Sequence, residues 1–372
     1  MTPELTDVIE RLNRKYAADG KKRIGLATEM IKPRERIPTG CFMLDAILGG
    51  GIPMGVVTEL SGSAGSGKTT MAMYTVAMSQ RMHPDSVQVY ISAEGPLHPH
   101  ALELAKVDPS RVVIFEPFEY AERAMDALKD ILKEIRGSVS VVVLDSVAAL
   151  APYMEVESVE RSGMEGQTVG VLSRVIDKFY RVFTGTGLFA ESAVIAVNQF
   201  RQQVGSTPLP PTVKGGMSSQ YFPKLRIWLT SSPSRRLKRS DVKGLEVLPG
   251  IPDFSAYGDN DAVGHEVDVQ IVKDNTGGIP FRRGMYRVIY GYGYDNFQPV
   301  VTYGERFGLL VRKGAYYQYR DLKVQGLYPF IAECMSTGMW DELASEVMKR
   351  VIQKPQAIVQ EVAADEGLFQ EA

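Results

Sequence analysis

The sequence predicts an α/β fold built on a mainly parallel central sheet. Three observations point there. Short β-branched runs recur at Val56–Leu60, Val87–Ile91, Val112–Phe115, Val139–Leu144 and Ala193–Val197. Such runs fit strands buried on both faces of a parallel sheet. Helical patterns at 120–135 and 168–183 lie between them, and strands alternating with helices mark an α/β domain. A glycine-rich loop also joins the first run to a helical pattern at Thr70–Ser79.

Residues 3–18 form an amphipathic helical pattern with Leu5, Val8, Ile9 and Leu12 on one stripe. After Asp19-Gly20 comes a short apolar patch, Ile24–Ala27, read as a strand. This helix and strand stand apart from the main domain and either cap it or dock on a neighbour. The alternating region runs from Thr39 to Phe281. Residues 201–219 interrupt it with a stretch too rich in Pro and Gly for either regular element, and loops of that length are usually functional or disordered. A second irregular stretch is expected at 231–262. Beyond about residue 300 the texture becomes a small α+β unit ending in a helix, Trp340–Ile352. The expected divisions are 1–36, 37–300, 301–355 and a tail at 356–372.

Composition narrows the class. The chain has 372 residues with 44% hydrophobic and 23% charged, as in an ordinary globular protein, not a fibrous or wholly disordered one. No run reaches the ~20 apolar residues of a membrane span, and the polar start lacks a secretory signal. Two cysteines, Cys41 and Cys334, make neither a disulfide framework nor a zinc spacing. A reducing, cytoplasmic setting is the expectation. The net charge of −2 neither demands nor excludes nucleic acid, because local patches decide that. Arg235, Arg236, Lys238, Arg239 and Lys243 form a basic cluster, readable as solvated surface or as a contact for duplex DNA. Glu361, Asp365, Glu366 and Glu371 make the tail acidic, readable as a solvated end or as a competitor for basic surface.

The strongest motif is Gly62-Ser63-Ala64-Gly65-Ser66-Gly67-Lys68-Thr69, followed by Thr70, in the strand–loop–helix context a phosphate-binding loop requires. Glycines let backbone N–H groups turn towards phosphates, and the helix start adds partial positive charge. In such a loop Lys68 pairs with the β and γ phosphates and Thr69 holds Mg²⁺. Asp145, directly after the run ending at Leu144, is the second partner expected for that Mg²⁺. Glu94 lies three residues past Ile91, at the sheet edge where ligands bind. Its position fits both a catalytic carboxylate and a surface glutamate. Gln199 comes after the fifth run at the same edge and precedes the long Pro/Gly loop. An amide there reads a γ-phosphate and passes the state onward. In that loop Arg201, Gln202, Gln203 and Lys214 suit a DNA backbone, and Val204, Leu209 and Val213 suit either wedges between bases or loop packing.

Taken together, these stretches resemble the bacterial and phage branch of the RecA-type homologous recombinases. The resemblance rests on IPTGCFMLDAILGGGIPMG (37–55), the phosphate loop, YISAEGPLHP (90–99), VVVLDSVAALAP (141–152), VIAVNQFR (194–201), the Gly215-Gly216 pair, IVKDNTGGIPF (271–281) and GAYYQY (314–319). It spans about residues 3–350. It implies a RecA-like ATPase core, an N-terminal helix–strand arm for oligomerisation and a small α+β C-terminal domain. It implies an ATP- and Mg²⁺-dependent recombinase that forms helical filaments of its own subunits on single-stranded DNA. Such a protein pairs that strand with double-stranded DNA, with DNA-stimulated ATP hydrolysis. A ring helicase of the same core fold and a nucleotide-dependent scaffold are the alternatives.

The resemblance also implies roles at matching positions. Glu94 stands at the catalytic carboxylate and Gln199 at the γ-phosphate sensor. Lys273 matches one of two lysines that reach a neighbour's nucleotide. DNA-binding loops fall near 155–167 and 200–216, and Arg174, Arg181 and Arg201 match basic DNA contacts, with Gln202, Val204, Lys214, Gly215 and Gly216 in the second loop. The second interface lysine is Asn275 here, with Arg282 a candidate replacement. His98 and Ala101 stand where relatives carry an aspartate and a tyrosine beside the adenine. Residues 231–262 are longer than the family pattern.

Overall fold

A computed structural model describes residues 3–16, 24–31, 33–165, 170–201, 212–213 and 218–353. The chain divides between Glu35 and Arg36 into a small N-terminal unit and a main unit. In the first, α1 (Pro3–Tyr16) leaves Leu5 and Val8 of its apolar stripe more than a third exposed, and Ile9 and Leu12 are half-buried. The Asn13 amide donates to Ile9 O and Ile24 O, and Ile24 N–H donates back to Asn13 Oδ1. The strand expected at Ile24–Ala27 is absent among the described residues, and Ala27–Met30 form one helical turn instead. A strand needs a partner for its backbone groups, and none pairs with this segment among the described residues.

The main unit begins with a short strand pair, Arg36–Ile37 with Ile52–Pro53, around α2 (Phe42–Leu48). The central sheet comes next. Its strands are β1 (Val57–Gly62), β2 (Val87–Ser92), β3 (Val112–Phe115), β4 (Val139–Asp145), β5 (Ala193–Arg201), β6 (Leu225–Lys238), β7 (Ala262–Asp274), β8 (Arg283–Ile289) and β9 (Gly293–Tyr294). Their order is β9-β8-β7-β6-β1-β5-β4-β2-β3, with Thr212–Val213 pairing on β5. From β6 to β3 every pairing is parallel, and β7, β8 and β9 extend the sheet antiparallel.

Helices α3 (Lys68–Met82), α4 (Pro99–Ala105), α5 (Ala121–Glu134), α6 (Tyr153–Ser162) and α7 (Val171–Gly185) connect the parallel strands. The apolar runs of the inner strands are continuous because both faces are covered, whereas the edge strand β3 leaves Val113 and Ile114 exposed. In β4, Val141 and Val143 join the core beneath α3, and Val142 and Leu144 join the one beneath α5 and α7. In α5, Ala121, Ala124, Met125, Leu128 and Leu132 bury a stripe at helical spacing.

Beyond the sheet lie α8 (Phe297–Arg306), the antiparallel strands β10 (Val311–Lys313), β11 (Tyr316–Tyr319) and β12 (Leu322–Gln325), and helices α9 (Leu327–Ser336) and α10 (Met339–Gln353). Their apolar side chains, among them Phe330, Leu343 and Val347, belong to the same core as Phe297 and Val300. Among the described residues no helix is long and apolar enough to cross a membrane.

Two stretches differ from expectation. Residues 231–238 are strand, not irregular, so Arg235, Arg236 and Lys238 lie on β6 opposite the start of β7. The register jumps between Ser231/Val267 and Arg236/His265, so residues 232–235 form a bulge inside the stretch expected to be irregular. The first expected DNA loop begins as helix α6 over 153–162, none of whose residues is buried.

Candidate nucleotide site at the carboxyl edge of the sheet

The parallel strands deliver four predicted side chains to one edge. Gly62 at the end of β1 is in register with Gln199 of β5, and Ser92 at the end of β2 with Asp145 of β4. Glu94 stands two residues after Ser92. This is the edge at which open α/β sheets bind ligands.

The phosphate loop takes its shape from its glycines. Gly67 caps α3 in the left-handed region at φ 83°, a conformation that disfavours any side chain. Gly62 passes so close to β6 that a Cβ would meet Leu229 O. Ser66 Oγ donates to Ser63 O at 2.8 Å. Lys68 Nζ donates to Ser63 O at 2.7 Å and to Gly62 O at 3.2 Å. Burial lowers the Lys68 ammonium from its usual range, and Asp145 and Glu94 oppose that shift.

Thr69 Oγ1 donates to Asp145 Oδ2 at 2.7 Å, and the Tyr90 hydroxyl donates to the same oxygen at 2.5 Å. Burial raises the Asp145 carboxyl above its ordinary range. Its hydrogen bonds from Tyr90 and Thr69 pull it down, and Glu94 pushes it up. A buried carboxylate that shares a hydroxyl at the cleft wall fits a divalent cation, whose charge would relieve that burial. No cluster of three or more His, Cys, Asp or Glu occurs among the described residues. A cation here would therefore complete its shell with phosphate and water oxygens.

Glu94 Oε1 accepts two hydrogen bonds, from Gln199 Nε2 at 2.8 Å and from Ser146 Oγ at 2.5 Å. Asn198, next to Gln199, donates to buried Glu59 Oε1, and Arg226 Nε donates to Glu59 Oε2 at 2.5 Å. A cleft of about 370 Å³ opens over these groups. Ala64, Gly65, Gly67, Lys68, Thr69, Thr70, Glu94, Asp145 and Gln199 line it from the parallel part of the sheet. His265, Tyr286, Val288 and Tyr294 line it from the antiparallel extension. The volume lies within the range of small-molecule sites.

Lys273 lies elsewhere. It does not line the cleft, and its Nζ donates to Tyr221 O at 2.7 Å and Gln220 O at 3.3 Å. Burial lowers its ammonium, and the nearby Lys224 and Arg226 charges lower it further. Arg282 is 6% exposed in the single chain and its guanidinium donates to Ile47 O. His98 caps α4 through His100 N–H, and neither it nor Ala101 lines the cleft.

Arg174 and Arg181 stand exposed on α7 with Lys178 between them, and Arg181 pairs with Asp177 at 3.4 Å. Arg201 is the last residue of β5. Gln202, Val204, Lys214, Gly215 and Gly216 lie outside the described residues, as does the acidic tail. Ser146, Tyr90, His265, Tyr286 and Tyr294 are site residues that sequence reasoning missed. Ser146 alone had a signal, its place directly after Asp145.

Comparison with known proteins gives a concordant result. The model of the RecA N-terminal domain matches residues 4–248. A relative named Protein RecA from Nostoc sp. (strain PCC 7120) is 31% identical over 317 residues, covering 85% of this chain and 79% of its own. Protein RecA from Thermus thermophilus is 28% identical over 366 residues, covering 98% of this chain and 97% of its own. A crystal structure of the RadB recombinase superposes with a TM-score of 0.47 at 21% identity, over 69% of this chain and 98% of that one.

Proposed function

Because the chain belongs to the RecA family of recombinases, we propose that it is a cytoplasmic ATP-dependent DNA strand-exchange protein. It assembles as a helical filament of its own subunits on single-stranded DNA, pairs that strand with homologous duplex, and hydrolyses ATP when DNA is bound. The observation that carries this reading is the 2.8 Å hydrogen bond from Gln199 to Glu94. It links a carboxylate beside the phosphate loop to the strand that runs into the Pro/Gly segment.

The residues divide the work. Lys68 offsets β- and γ-phosphate charge, with the amides of the loop and the start of α3 around it. Thr69 and Asp145 would hold Mg²⁺, which when bound neutralises charge developing on the phosphates. Glu94 takes a proton from the attacking water. The Gln199 amide, drawn to a γ-phosphate oxygen, would release Glu94 for that task and shift the end of β5. Arg174, Arg181, Arg201, Gln202, Val204, Lys214, Gly215 and Gly216 form the DNA path. Residues 1–36 serve as the polymerisation arm, and the exposed Leu5 and Val8 of α1 suit docking on another subunit. Residues 301–355 act as the C-terminal domain and 356–372 as an acidic tail. Lys273 reaches a neighbour's nucleotide.

Electron microscopy with single-stranded DNA and a nonhydrolysable ATP analogue tests the reading. Long striated filaments are expected. Closed rings, or particles that leave the DNA bare, would overturn it.

A further inference from the structure

The wall of the cleft formed by the antiparallel extension of the sheet carries polar atoms that nothing in the described residues satisfies. His265 Nδ1 and Nε2, Tyr286 OH and Tyr294 OH are all buried without a hydrogen-bond partner. All three residues line the cleft. Tyr286 and Tyr294 are only 2% and 5% exposed. Buried polar groups are nearly always paired, so such a convergence calls for a partner.

Strand pairing explains why these groups share a wall. Val288 of β8 is in register with His265 of β7 on one side and Tyr294 of β9 on the other. Residues directly opposite one another present side chains to the same face of a sheet. Tyr286, two residues before Val288, joins them there. The result is an apolar centre at Val288 flanked by an imidazole and two phenols. At the inner end, a Cβ on Gly67 would lie 3.9 Å from the Tyr286 hydroxyl, so the wall starts beside the head of α3.

We infer that His265, Tyr286 and Tyr294 form the surface that recognises the nucleoside half of the bound nucleotide. This rests on the nucleotide-site reading above. The wall carries no formal charge, because burial lowers the His265 imidazole towards its neutral form. It therefore gives a triphosphate no counter-charge, which Lys68 supplies. A neutral imidazole presents one donor and one acceptor, and each phenol can do either. That mixture, around an apolar patch, matches the hydroxyls of a sugar and the edge of a base. His98 and Ala101 do not line the cleft, so recognition falls to this wall.

Calorimetric titration with Mg²⁺–ATP and with Mg²⁺–tripolyphosphate, which has no nucleoside, tests this on Tyr294→Phe, Tyr286→Phe and His265→Leu. Each variant should lose roughly 3–10-fold in ATP affinity, the size of a single hydrogen bond, and nothing in tripolyphosphate affinity. The two Tyr→Phe changes keep ring and shape. Removing an orphan hydroxyl should leave the melting temperature without ligand unchanged or higher, and shrink the rise that ATP produces. Unchanged ATP affinity in all three variants would overturn the wall. So would equal losses for both ligands, or a lowered melting temperature with an intact ATP-induced rise. A parental protein that binds neither ligand would overturn the nucleotide-site reading itself, a different result from unaltered variants of a protein that binds both.

Discussion

Gln199 of β5 donates its side-chain amide to Glu94, two residues past β2, across 2.8 Å. The two strands are not neighbours, since β4 lies between them. This bond and the one from Ser146, just after β4, therefore tie three strand ends together at a single carboxylate oxygen. A ligand that draws the Gln199 amide away changes Glu94 and the exit of β5 at once.

Glu94→Gln should separate binding from hydrolysis. The new amide oxygen still accepts from Gln199 and Ser146, so the strand ends stay joined. It cannot accept a proton, and loss of a general base lowers rates by ~10²–10⁴-fold. ATP binding and DNA filaments should persist while phosphate release falls by that factor. Loss of ATP binding together with hydrolysis would assign Glu94 a structural role.

Asp45 predicts a pH dependence of stability. It is 6% exposed, accepts from Thr39 N–H and Thr39 Oγ1, and burial pushes its carboxyl up from 3.8 to about 7. A folded value above the unfolded one means that the native state holds the proton more tightly. The stabilisation is full below pH ~4 and is lost as pH rises through ~7, on the order of 4 kcal/mol at ~1.4 kcal/mol per unit. Asp45→Asn keeps an acceptor for both Thr39 donors and carries no charge. Urea unfolding at pH 5 and pH 8 should show the variant flatter with pH than the parent, and the more stable of the two at pH 8. The same slope in both proteins would refute it.

These residues also show where sequence reasoning reaches. The five apolar runs became β1 to β5. Four are inner strands, whose burial on both faces is legible from composition, and β3 is an edge strand that leaves Val113 and Ile114 exposed. Lys68, Asp145, Glu94 and Gln199 were findable for a related reason. Asp145, Glu94 and Gln199 each come within a few residues of the end of such a run, Lys68 belongs to the phosphate-loop motif that follows the first, and parallel strands bring their carboxyl-terminal residues to one edge. β6 was not among the five runs, and Ser231-Ser232-Pro233-Ser234 falls in the stretch expected to be irregular, where long-range pairing with β7 holds the chain as a bulged strand. His265, Tyr286 and Tyr294 meet only through the antiparallel register of β7, β8 and β9. No local spacing encodes that meeting. Tyr90 sat inside an apolar run and gave no sign that its hydroxyl reaches Asp145.

DNA affinity should fall steeply with salt, because each phosphate contact on a single strand contributes a slope of about −0.7. Arg201 closes β5 where the chain enters the Pro/Gly segment. Arg201→Ala should flatten the log–log slope by about one such contact, with a uniform loss across sequences. Fluorescence anisotropy on a labelled oligonucleotide across a salt series reads this. An unaltered slope would remove Arg201 from the DNA path.

Lys273 gives the test of cooperation between subunits. Its ammonium is held by Tyr221 O and Gln220 O near the end of β7, away from its own cleft. The neighbouring charges of Lys224 and Arg226 disfavour a further cation there, so an anion brought by another subunit would be drawn to it. A cation set against a transferring phosphoryl group supplies ~10³–10⁵ in rate. Lys273→Ala should bind ATP as the parent does, since Lys68 is intact, and lose DNA-stimulated hydrolysis. Lys68→Ala should lose nucleotide binding outright. Mixed together, the two inactive proteins should recover part of the activity, at junctions where an intact phosphate loop meets an intact Lys273. The recovery should peak near equal proportions, because only there are such junctions most frequent. Mixtures that stay inactive at every ratio, or a Lys273→Ala protein that hydrolyses ATP normally on DNA, would show that this lysine does not read the neighbouring nucleotide. With Arg282 bonded to Ile47 O and Asn275 uncharged, the group that does would then have to come from another element.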